Sequence, residues 1–165
     1  MNFVKILHTA DIHIGAQDSF LGPGAESRRF ETLITFERII DTAVQNDVQL
    51  IAIAGDLFDS DTPETVFTDA VFNKIRDCGI KTVYCAGNHD PLNANSPFVN
   101  RELPENLFVL GKDDACITFD DIKTRNNRWR DEIQTSYFLY SFTSKIKTNS
   151  ALKILSYAQK ADIFF

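Results

Sequence analysis

The sequence predicts an α/β layered domain that starts with a βαβαβ unit. Three short, largely apolar runs occupy residues 3–9, 48–56 and 80–90, and each ends in polar residues. Between them lie two segments whose apolar residues recur at helical spacing. Each connection is long enough for a crossover helix, which parallel strands require. This alternation is typical of a parallel sheet with helices packed on its faces.

The first two strands and the helix between them are predicted from different patterns. FVKILHT, residues 3–9, is short, apolar and followed by an acidic residue, which is the pattern of a buried strand. A helix is expected from about Ser27, because apolar residues then mark one face. That face consists of Phe30, Leu33, Ile34, Ile39, Ile40, Ala43 and Val44. VQLIAIAGD, residues 48–56, is continuously apolar and predicts a strand covered on both faces.

The second helix has recognisable start and stop signals. Thr62 is its predicted N-cap and Pro63 its first residue, while Gly79 is the expected C-terminal cap. IKTVYCAGNHD, residues 80–90, then forms the third strand and its exit loop. NLFVLGKDDACITFDD, residues 106–121, predicts two more short strands around a Lys-Asp-Asp turn.

The character of the sequence changes near Asp121. Residues 1–121 hold 20 acidic and 9 basic side chains, whereas residues 122–165 hold 3 and 8. The later segment has no Gly, Pro, His or Cys, one weak strand candidate at Tyr137–Phe142 and one short helix candidate at Ala151–Gln159. We therefore predict an N-terminal part of a domain over residues 1–121. The rest is an atypical basic tail, and a position outside the fold is one alternative for it.

The composition argues against several classes of protein. The net charge of −6 is unlike that of a generic nucleic-acid-binding protein. No apolar run approaches the roughly 20 residues that cross a bilayer, and the first residues do not form a signal-peptide pattern. Cys78, Cys85 and Cys116 are odd in number and include no CxxC pair. They indicate a reducing, cytoplasmic setting rather than a disulfide framework.

Residues that can bind metal or transfer protons follow each of the first three strands. They are His8, Asp11 and His13 after the first strand, Asp56 and Asp59 after the second, and Asn88, His89 and Asp90 after the third. Because the carboxyl ends of parallel strands line one edge of a sheet, these side chains should meet in one crevice. Mixed oxygen and nitrogen ligands favour Mn, Fe or Zn over Ca. Two such ions about 3.5–4 Å apart could assist phosphoester hydrolysis, and His89 could donate a proton to a leaving oxygen or hydrogen-bond a phosphate oxygen.

Three segments resemble, in order and spacing, the first three motifs of calcineurin-like metallophosphoesterases: D-x-H, G-D and G-N-H-[DE]. They are HTADIHIG (8–15), AGDLFDS (54–60) and AGNHDP (86–91). LHTADIHIG together with GDLFD is similar to the DNA-repair exonuclease branch, the SbcD-like nuclease subunits. The resemblance covers about residues 1–120 and implies a metallophosphoesterase-type layered fold. Gly-Asn-His-Asp alone should occur by chance in roughly one such chain in a thousand.

The resemblance implies a role for each matching residue. Asp11 and His13 would hold the first metal ion, and Asp56 would bridge two ions. Asn88 would hold the second ion, and His89 would be the acid that assists the leaving group.

Supporting roles are more open. Asp90 would orient the ring of His89, and His8 would brace its loop through backbone hydrogen bonds. Asp59 and Asp61 could support the site or simply form the turn before the second helix. Two arginines, Arg28 and Arg29, could contact DNA phosphate or simply be solvated. RNNRWR, residues 125–130, could stack on single strands, although a solvated basic segment is the favoured interpretation.

The family completes its site with downstream histidines, whereas no histidine follows His89 here. We therefore expect at most one divalent ion, Mn in first place, to be well held, and the second half of the sheet to be truncated or replaced. One hypothesis is metal-dependent phosphodiester hydrolysis on DNA, of exonuclease type and in DNA repair. The other is a catalytically incomplete remnant or binding module. The resemblance implies DNA and an SMC-like ATPase subunit of the SbcC type as partners, with a homodimer as a further alternative and no membrane.

Overall fold

The structure is a computed structural model of the chain and describes residues 5–16, 25–111, 117–118, 136–137 and 162–164. The described elements, in chain order, are β1 (Lys5–Thr9), α1 (Ala25–Gln45), β2 (Leu50–Ala54), α2 (Thr65–Cys78), β3 (Lys81–Cys85), α3 (Pro97–Asn100), β4 (Leu107–Leu110), β5 (Ile117–Thr118), β6 (Ser136–Tyr137) and β7 (Asp162–Phe164). Among these residues, no helix has both the length and the apolar character needed to span a membrane.

Five of the strands form one sheet in the order β4-β3-β2-β1-β7, and every neighbouring pair is parallel. In this register Ile6 lies opposite Leu50, and Leu50 lies opposite Lys81. The carboxyl ends of β1, β2 and β3 therefore share one edge. The predicted α/β class with its βαβαβ start is confirmed.

The sheet buries apolar side chains on both faces. In β2, Ile51 and Ile53 belong to a core shared with the helices, whereas Leu50 and Ala52 belong to a second cluster. Alternate residues of a strand point to opposite faces, so the two clusters lie on the two sides of the sheet. None of these four β2 residues is more than 7% exposed, which agrees with the continuously apolar sequence of this strand.

The buried face of α1 differs from the predicted one. Four residues spaced three or four apart, Leu33, Phe36, Ile40 and Ala43, are buried against the core. Phe36 was not predicted, whereas Phe30, Ile34 and Val44 were predicted to be buried and are 42%, 44% and 48% exposed. The helix carries two overlapping apolar stripes of the same period, and the stripe that includes Phe36 packs into the core.

The ends of α2 were predicted with mixed success. Gly79 caps the helix as expected, with a φ of 65° and its N–H donating to the Arg76 carbonyl. The helix begins at Thr65 with Glu64 as its N-cap, not at Thr62 and Pro63. Glu64 makes no side-chain hydrogen bond as the cap. The Thr62-Pro63 pair therefore precedes the helix by two residues and does not mark its first turn.

The two short strands predicted within residues 106–121 form as β4 and β5, and they belong to different sheets. β4 joins the parallel sheet beside β3, while β5 pairs antiparallel with β6, which overlaps the weak strand candidate by one residue. At the opposite edge, β7 pairs with β1 in parallel, with Ile6 opposite Ile163. The helix candidate at Ala151–Gln159 lies outside the described residues. The domain boundary near Asp121 stays a prediction.

Candidate metal centre

The loop after β1 is joined to the loop after β2 by backbone hydrogen bonds. The Asp11 N–H donates to the Gly55 carbonyl at 3.1 Å, and the His13 N–H donates to the Asp56 carbonyl at 2.9 Å. The Ile14 N–H donates to the Leu57 carbonyl at 2.8 Å, and the Ile14 carbonyl accepts the Asp59 N–H at 3.3 Å. Ile14 and Phe58 also form an isolated parallel bridge. The two segments that carry D-x-H and G-D are therefore fixed to each other before any ligand side chain is considered.

Three predicted metal ligands have a left-handed backbone, with φ values of 53° at Asp11, 52° at His13 and 49° at Asp56. Such a conformation costs a non-glycine residue about 1–2 kcal/mol, and it persists where surrounding bonds enforce it. Here the hydrogen bonds between the loops enforce it. As a result, ligand-type atoms of all three side chains lie within 4.8 Å of one another. A carboxylate, an imidazole and a buried second carboxylate in this arrangement fit a divalent transition metal.

The loop after β3 reaches this group through Asp56. The backbone N–H of His89 donates to Oδ1 of Asp56 at 2.8 Å. The approach is close because Gly87 has no side chain: a Cβ there would lie 2.1 Å from Asp56 Oδ1 and 2.4 Å from its backbone nitrogen. A Cβ on Gly55, whose φ is 92°, would lie 3.1 Å from the Cα of Gly87. The two glycines thus let the two motifs pack directly on each other.

Asp90 organises the backbone of both loops. Its Oδ1 accepts the N–H groups of Asp56 and Gly87 at 3.1 and 2.9 Å, and its Oδ2 accepts that of Phe58 at 3.0 Å. Burial raises the pKa of Asp90, against the hydrogen bonds from Phe58 and Gly87, which lower it. The Tyr84 hydroxyl donates to the Asp90 carbonyl at 3.1 Å. The Asp90 side chain thus holds the two loops in place, and its predicted role of orienting the His89 ring stays a prediction.

Asp59 is the carboxylate beside the histidine rings. Its Oδ1 lies 2.8 Å from Nδ1 of His13 and 3.3 Å from Nδ1 of His89, and the two rings meet edge to face with centroids 4.7 Å apart. These three residues form a second group whose ligand-type atoms lie within 4.8 Å of one another. From the sequence, a supporting role at the site and a simple turn role were equally open for Asp59. The choice depends on which residues face its carboxylate after the loops pair, and the sequence does not show this.

The other predicted residues lie at the margin of this centre. Asn88 is exposed in the loop that carries His89. His8 is half-buried on β1 opposite Ala52, and burial lowers its pKa. The structure thus brings Asp11, His13, Asp56 and His89 together. The ligand and acid roles of these residues, and the roles of Asn88 and His8, stay predictions.

Comparison with known proteins decides the family. Residues 4–160, nearly the whole chain, match the family described as calcineurin-like phosphoesterase. The chain belongs to this family. Its α/β fold and the three motifs at the strand ends agree with that membership.

Several relatives are DNA-processing proteins by name. The chain is 34% identical to the DNA double-strand break repair protein Mre11 of Aeropyrum pernix, over 52% of this chain and 21% of the relative. It is 34% identical to SbcD, the D component of the nuclease SbcCD of Escherichia coli, over 53% and 21%. Bacillus subtilis YhaO, an uncharacterised metallophosphoesterase, is 31% identical over 65% of this chain and 28% of its own length. The chain thus spans between a fifth and a third of these relatives.

Among solved structures, the crystal structure of Pseudomonas putida nuclease MPE is similar to this chain. The match has 22% sequence identity and a TM-score of 0.35, and it covers 62% of this chain and 46% of that one.

Proposed function

We propose that this chain supplies metal-binding and proton-donating residues to a divalent-metal-dependent phosphodiesterase that cleaves DNA. The proposed enzyme is an exonuclease that acts in DNA repair. The observation that carries this proposal is the convergence of Asp11, His13 and Asp56, whose ligand-type atoms lie within 4.8 Å of one another. His89 adjoins them, with its N–H bound to Asp56. Carboxylates and an imidazole beside a proton donor are the groups that phosphoester hydrolysis requires.

The proposed ion is Mn, held by Asp11, His13 and Asp56, with Asn88 and Asp56 holding a second ion more weakly. Such ions would offset phosphate charge and activate a water molecule. The protein positions their ligands in advance, because the left-handed backbone of Asp11, His13 and Asp56 is already fixed by the hydrogen bonds between the loops. Asp56 is only 7% exposed, so its buried charge is favourable only with partners such as the His89 N–H and a cation.

His89 is the proposed proton donor to the leaving oxygen. Its side chain is 45% exposed and can therefore reach a phosphate at the surface of the centre. Its backbone is fixed by Asp56, and its Nδ1 faces Asp59 at 3.3 Å. This leaves Nε2, on the far side of the ring, to donate a proton.

DNA is proposed as the substrate because relatives are named as a DNA double-strand break repair protein and as part of a nuclease. An SMC-like ATPase subunit is proposed as a partner on the same likeness. A second copy of the chain is a further proposed partner, and a cytoplasmic setting is proposed because the three cysteines form no disulfide pattern. A second candidate is a binding module with little hydrolysis. It is favoured by one observation: residues 90–165 contain no histidine, so imidazole ligands beyond those already described would have to come from outside this chain.

Calorimetric titration with Mn tests the metal centre. The chain should bind one ion weakly, and Asp56→Ala should abolish the binding. Asp69→Ala is the matched control, because this carboxylate on α2 is 48% exposed, pairs with Arg101 and belongs to neither group of candidate metal ligands. Two tight sites in the wild-type chain, or unchanged binding in Asp56→Ala, would contradict the proposed centre.

Hydrolysis is tested in a fusion. Residues 1–120 are joined to the remainder of the nuclease domain of the Escherichia coli relative, which is expected to supply the missing histidines. We expect the chain alone to cleave bis-p-nitrophenyl phosphate and linear DNA negligibly, since loss of one electrostatic element already costs about 10²–10³ in rate. The fusion should cleave both, and His89→Ala should abolish cleavage while Asp69→Ala leaves it intact. A folded fusion that binds DNA without cutting it would favour the binding-module candidate.

A further inference from the structure

A cleft of about 450 Å³ opens beside the metal centre, between the loop after β1, the start of α1 and the turn before α2. The residues that line it include Arg29, Asp59, Ser60, Thr62, Glu64 and Phe67. Asp59 also contacts His13, so the cleft begins where the metal centre ends. Its volume is within the roughly 300–1,000 Å³ typical of small-molecule sites.

Arg29 is the cation of this cleft. Among the described residues that line it, Arg29 alone is positively charged. Its Nε donates to the Gly15 carbonyl at 3.4 Å, and its guanidinium carbon lies 5.2 Å from the centre of the Phe67 ring. Its side chain is 21% exposed and also pairs with Glu64. The contacts with Gly15 and Phe67 therefore fix the position of the guanidinium independently of Glu64.

The partner of Arg29 is held less firmly. The side chain of Glu64 is 54% exposed, so it can rotate into solvent at little cost, and an ion pair with such an exposed member contributes little stability. The second acidic residue of the cleft, Asp59, is already directed at His13 and His89. An incoming phosphate could thus replace Glu64 on Arg29, because guanidinium and phosphate pair strongly and in a bidentate geometry.

Two hydroxyl groups add neutral donors to the same cleft. Ser60 Oγ and Thr62 Oγ1 are 3.3 Å apart, and the Thr62 N–H donates to Ser60 Oγ at 3.1 Å. One of the two hydroxyl protons lies in the bond between them, whichever residue donates it. Because Ser60 Oγ accepts the backbone N–H, the other hydroxyl proton remains for an outside acceptor. A cation and two hydroxyls without further acids directed at them form a site for an oxyanion.

We propose that Arg29, assisted by Ser60 and Thr62, binds the phosphate next to the scissile phosphate of a DNA strand, in competition with Glu64. This proposal rests on the proposed function and specifies how the substrate is held. Because the bound group is a backbone phosphate, the site aligns the strand at the metal centre and does not read its sequence.

The test measures the dissociation constant of the complete chain for a fluorescein-labelled 12-nucleotide single-stranded DNA, by fluorescence anisotropy in Mn buffer. Arg29→Gln should raise Kd about tenfold, as loss of a charged hydrogen-bonded pair does. It should also lower the slope of log Kd against log salt by about 0.7, the value for one phosphate contact on a single strand. Glu64→Gln should lower Kd about two- to fivefold at low salt, because it removes the competitor.

The opposite signs separate binding from a merely structural role. Both substitutions break the same Arg29–Glu64 pair, so a pair that only stabilised the fold would give changes of the same sign. Arg38→Gln is the matched control: it removes the same charge from an exposed position on α1 and should leave Kd within twofold. Mn affinity should be unchanged in all three variants, and circular dichroism verifies that they are folded.

The result also separates this proposal from the function on which it rests. If the wild-type chain binds the oligonucleotide and Arg29→Gln binds it equally well, or if Glu64→Gln weakens binding, the phosphate site is wrong and DNA remains the proposed substrate. If the wild-type chain does not bind the oligonucleotide at any salt concentration, both proposals are overturned.

Discussion

Replacement of Gly87 by alanine should damage the metal centre without replacing any of its ligand residues. Gly87 lies where the loop after β3 crosses Asp56, and a Cβ at this position would lie 2.1 Å from Oδ1 and 2.4 Å from the nitrogen of that residue. Non-bonded carbon contacts are favourable at about 3.5–4.0 Å. Asp56 cannot retreat, because its N–H is bound to Asp90 at 3.1 Å and its carbonyl to His13 at 2.9 Å.

The expected loss of stability has two parts. Overpacking a close contact costs about 1–3 kcal/mol. Displacement of the Asp56 carboxylate also breaks its bond with the His89 N–H, and hydrogen bonds to charged groups contribute about 1.5–3 kcal/mol. Together we expect Gly87→Ala to lower the free energy of unfolding by about 3–5 kcal/mol, against a total of about 5–15 kcal/mol for ordinary domains.

Urea unfolding followed by circular dichroism measures this loss, and calorimetry measures Mn affinity. The matched control is Gly79→Ala, where φ is 65° but no atom lies within 4 Å of the added carbon. It should cost only the left-handed penalty of about 1 kcal/mol and leave Mn binding unchanged. A Gly87→Ala variant that is no more destabilised than Gly79→Ala and still binds Mn like the wild type would contradict the close packing of Gly87 on Asp56.

Two further predictions concern strain and pH. Asp11→Gly and Asp47→Gly, at φ values of 53° and 52°, should each raise the free energy of unfolding by about 0.5–1 kcal/mol through relief of the left-handed backbone. Only Asp11→Gly should weaken Mn binding, and equal effects on Mn in calorimetry would show that Asp11 is not a ligand. Burial raises the pKa of the Cys85 thiol to about 12 from 9.0, so its contribution is complete below pH 9 and is lost as the pH rises from 9 to 12. Urea unfolding at pH 8 and 10.5 should show the wild type losing about 1–2 kcal/mol more than Cys85→Ala, and identical losses would argue against a buried thiol.

Local signals in the sequence predicted the parts of the fold that depend on local chemistry. The apolar run of β2 and the glycine cap at Gly79 were confirmed because burial on both faces and a left-handed cap each leave a mark on a few adjacent residues. The buried stripe of α1 was not predicted correctly. Phe30 and Phe36 are equally apolar, but Phe36 is fully buried in the core whereas Phe30 contacts Phe67 of α2 and stays 42% exposed. The composition of the helix alone does not distinguish these two positions.

In the candidate site, too, some features could be predicted from the sequence and others depend on contacts made only in the folded chain. The clustering of Asp11, Asp56 and His89 followed from the topology, because parallel strands end at one edge. The roles of Asp59 and Asp90 could not be predicted, since each depends on which backbone groups and rings face it after the loops pair. The left-handed backbone at His13 also could not be predicted from the sequence. Glycine is the residue that signals a left-handed backbone, and histidine carries no such signal. The pairing of β7 with β1 joins segments distant in sequence and left no local signal.

The identity of the ligands is the central claim, and electron–nuclear double resonance on bound Mn tests it most directly. If Asp11, His13 and Asp56 hold the ion, the spectrum should show hyperfine coupling to one imidazole nitrogen. The coupling should disappear in His13→Gln and persist in both His89→Gln and Asp59→Ala. The alternative group, His13, Asp59 and His89, also has its ligand-type atoms within 4.8 Å of one another and would show two coupled imidazoles. A second imidazole coupling in the wild type that is lost in His89→Gln would therefore contradict the assignment of His89 as a proton donor that does not bind the metal.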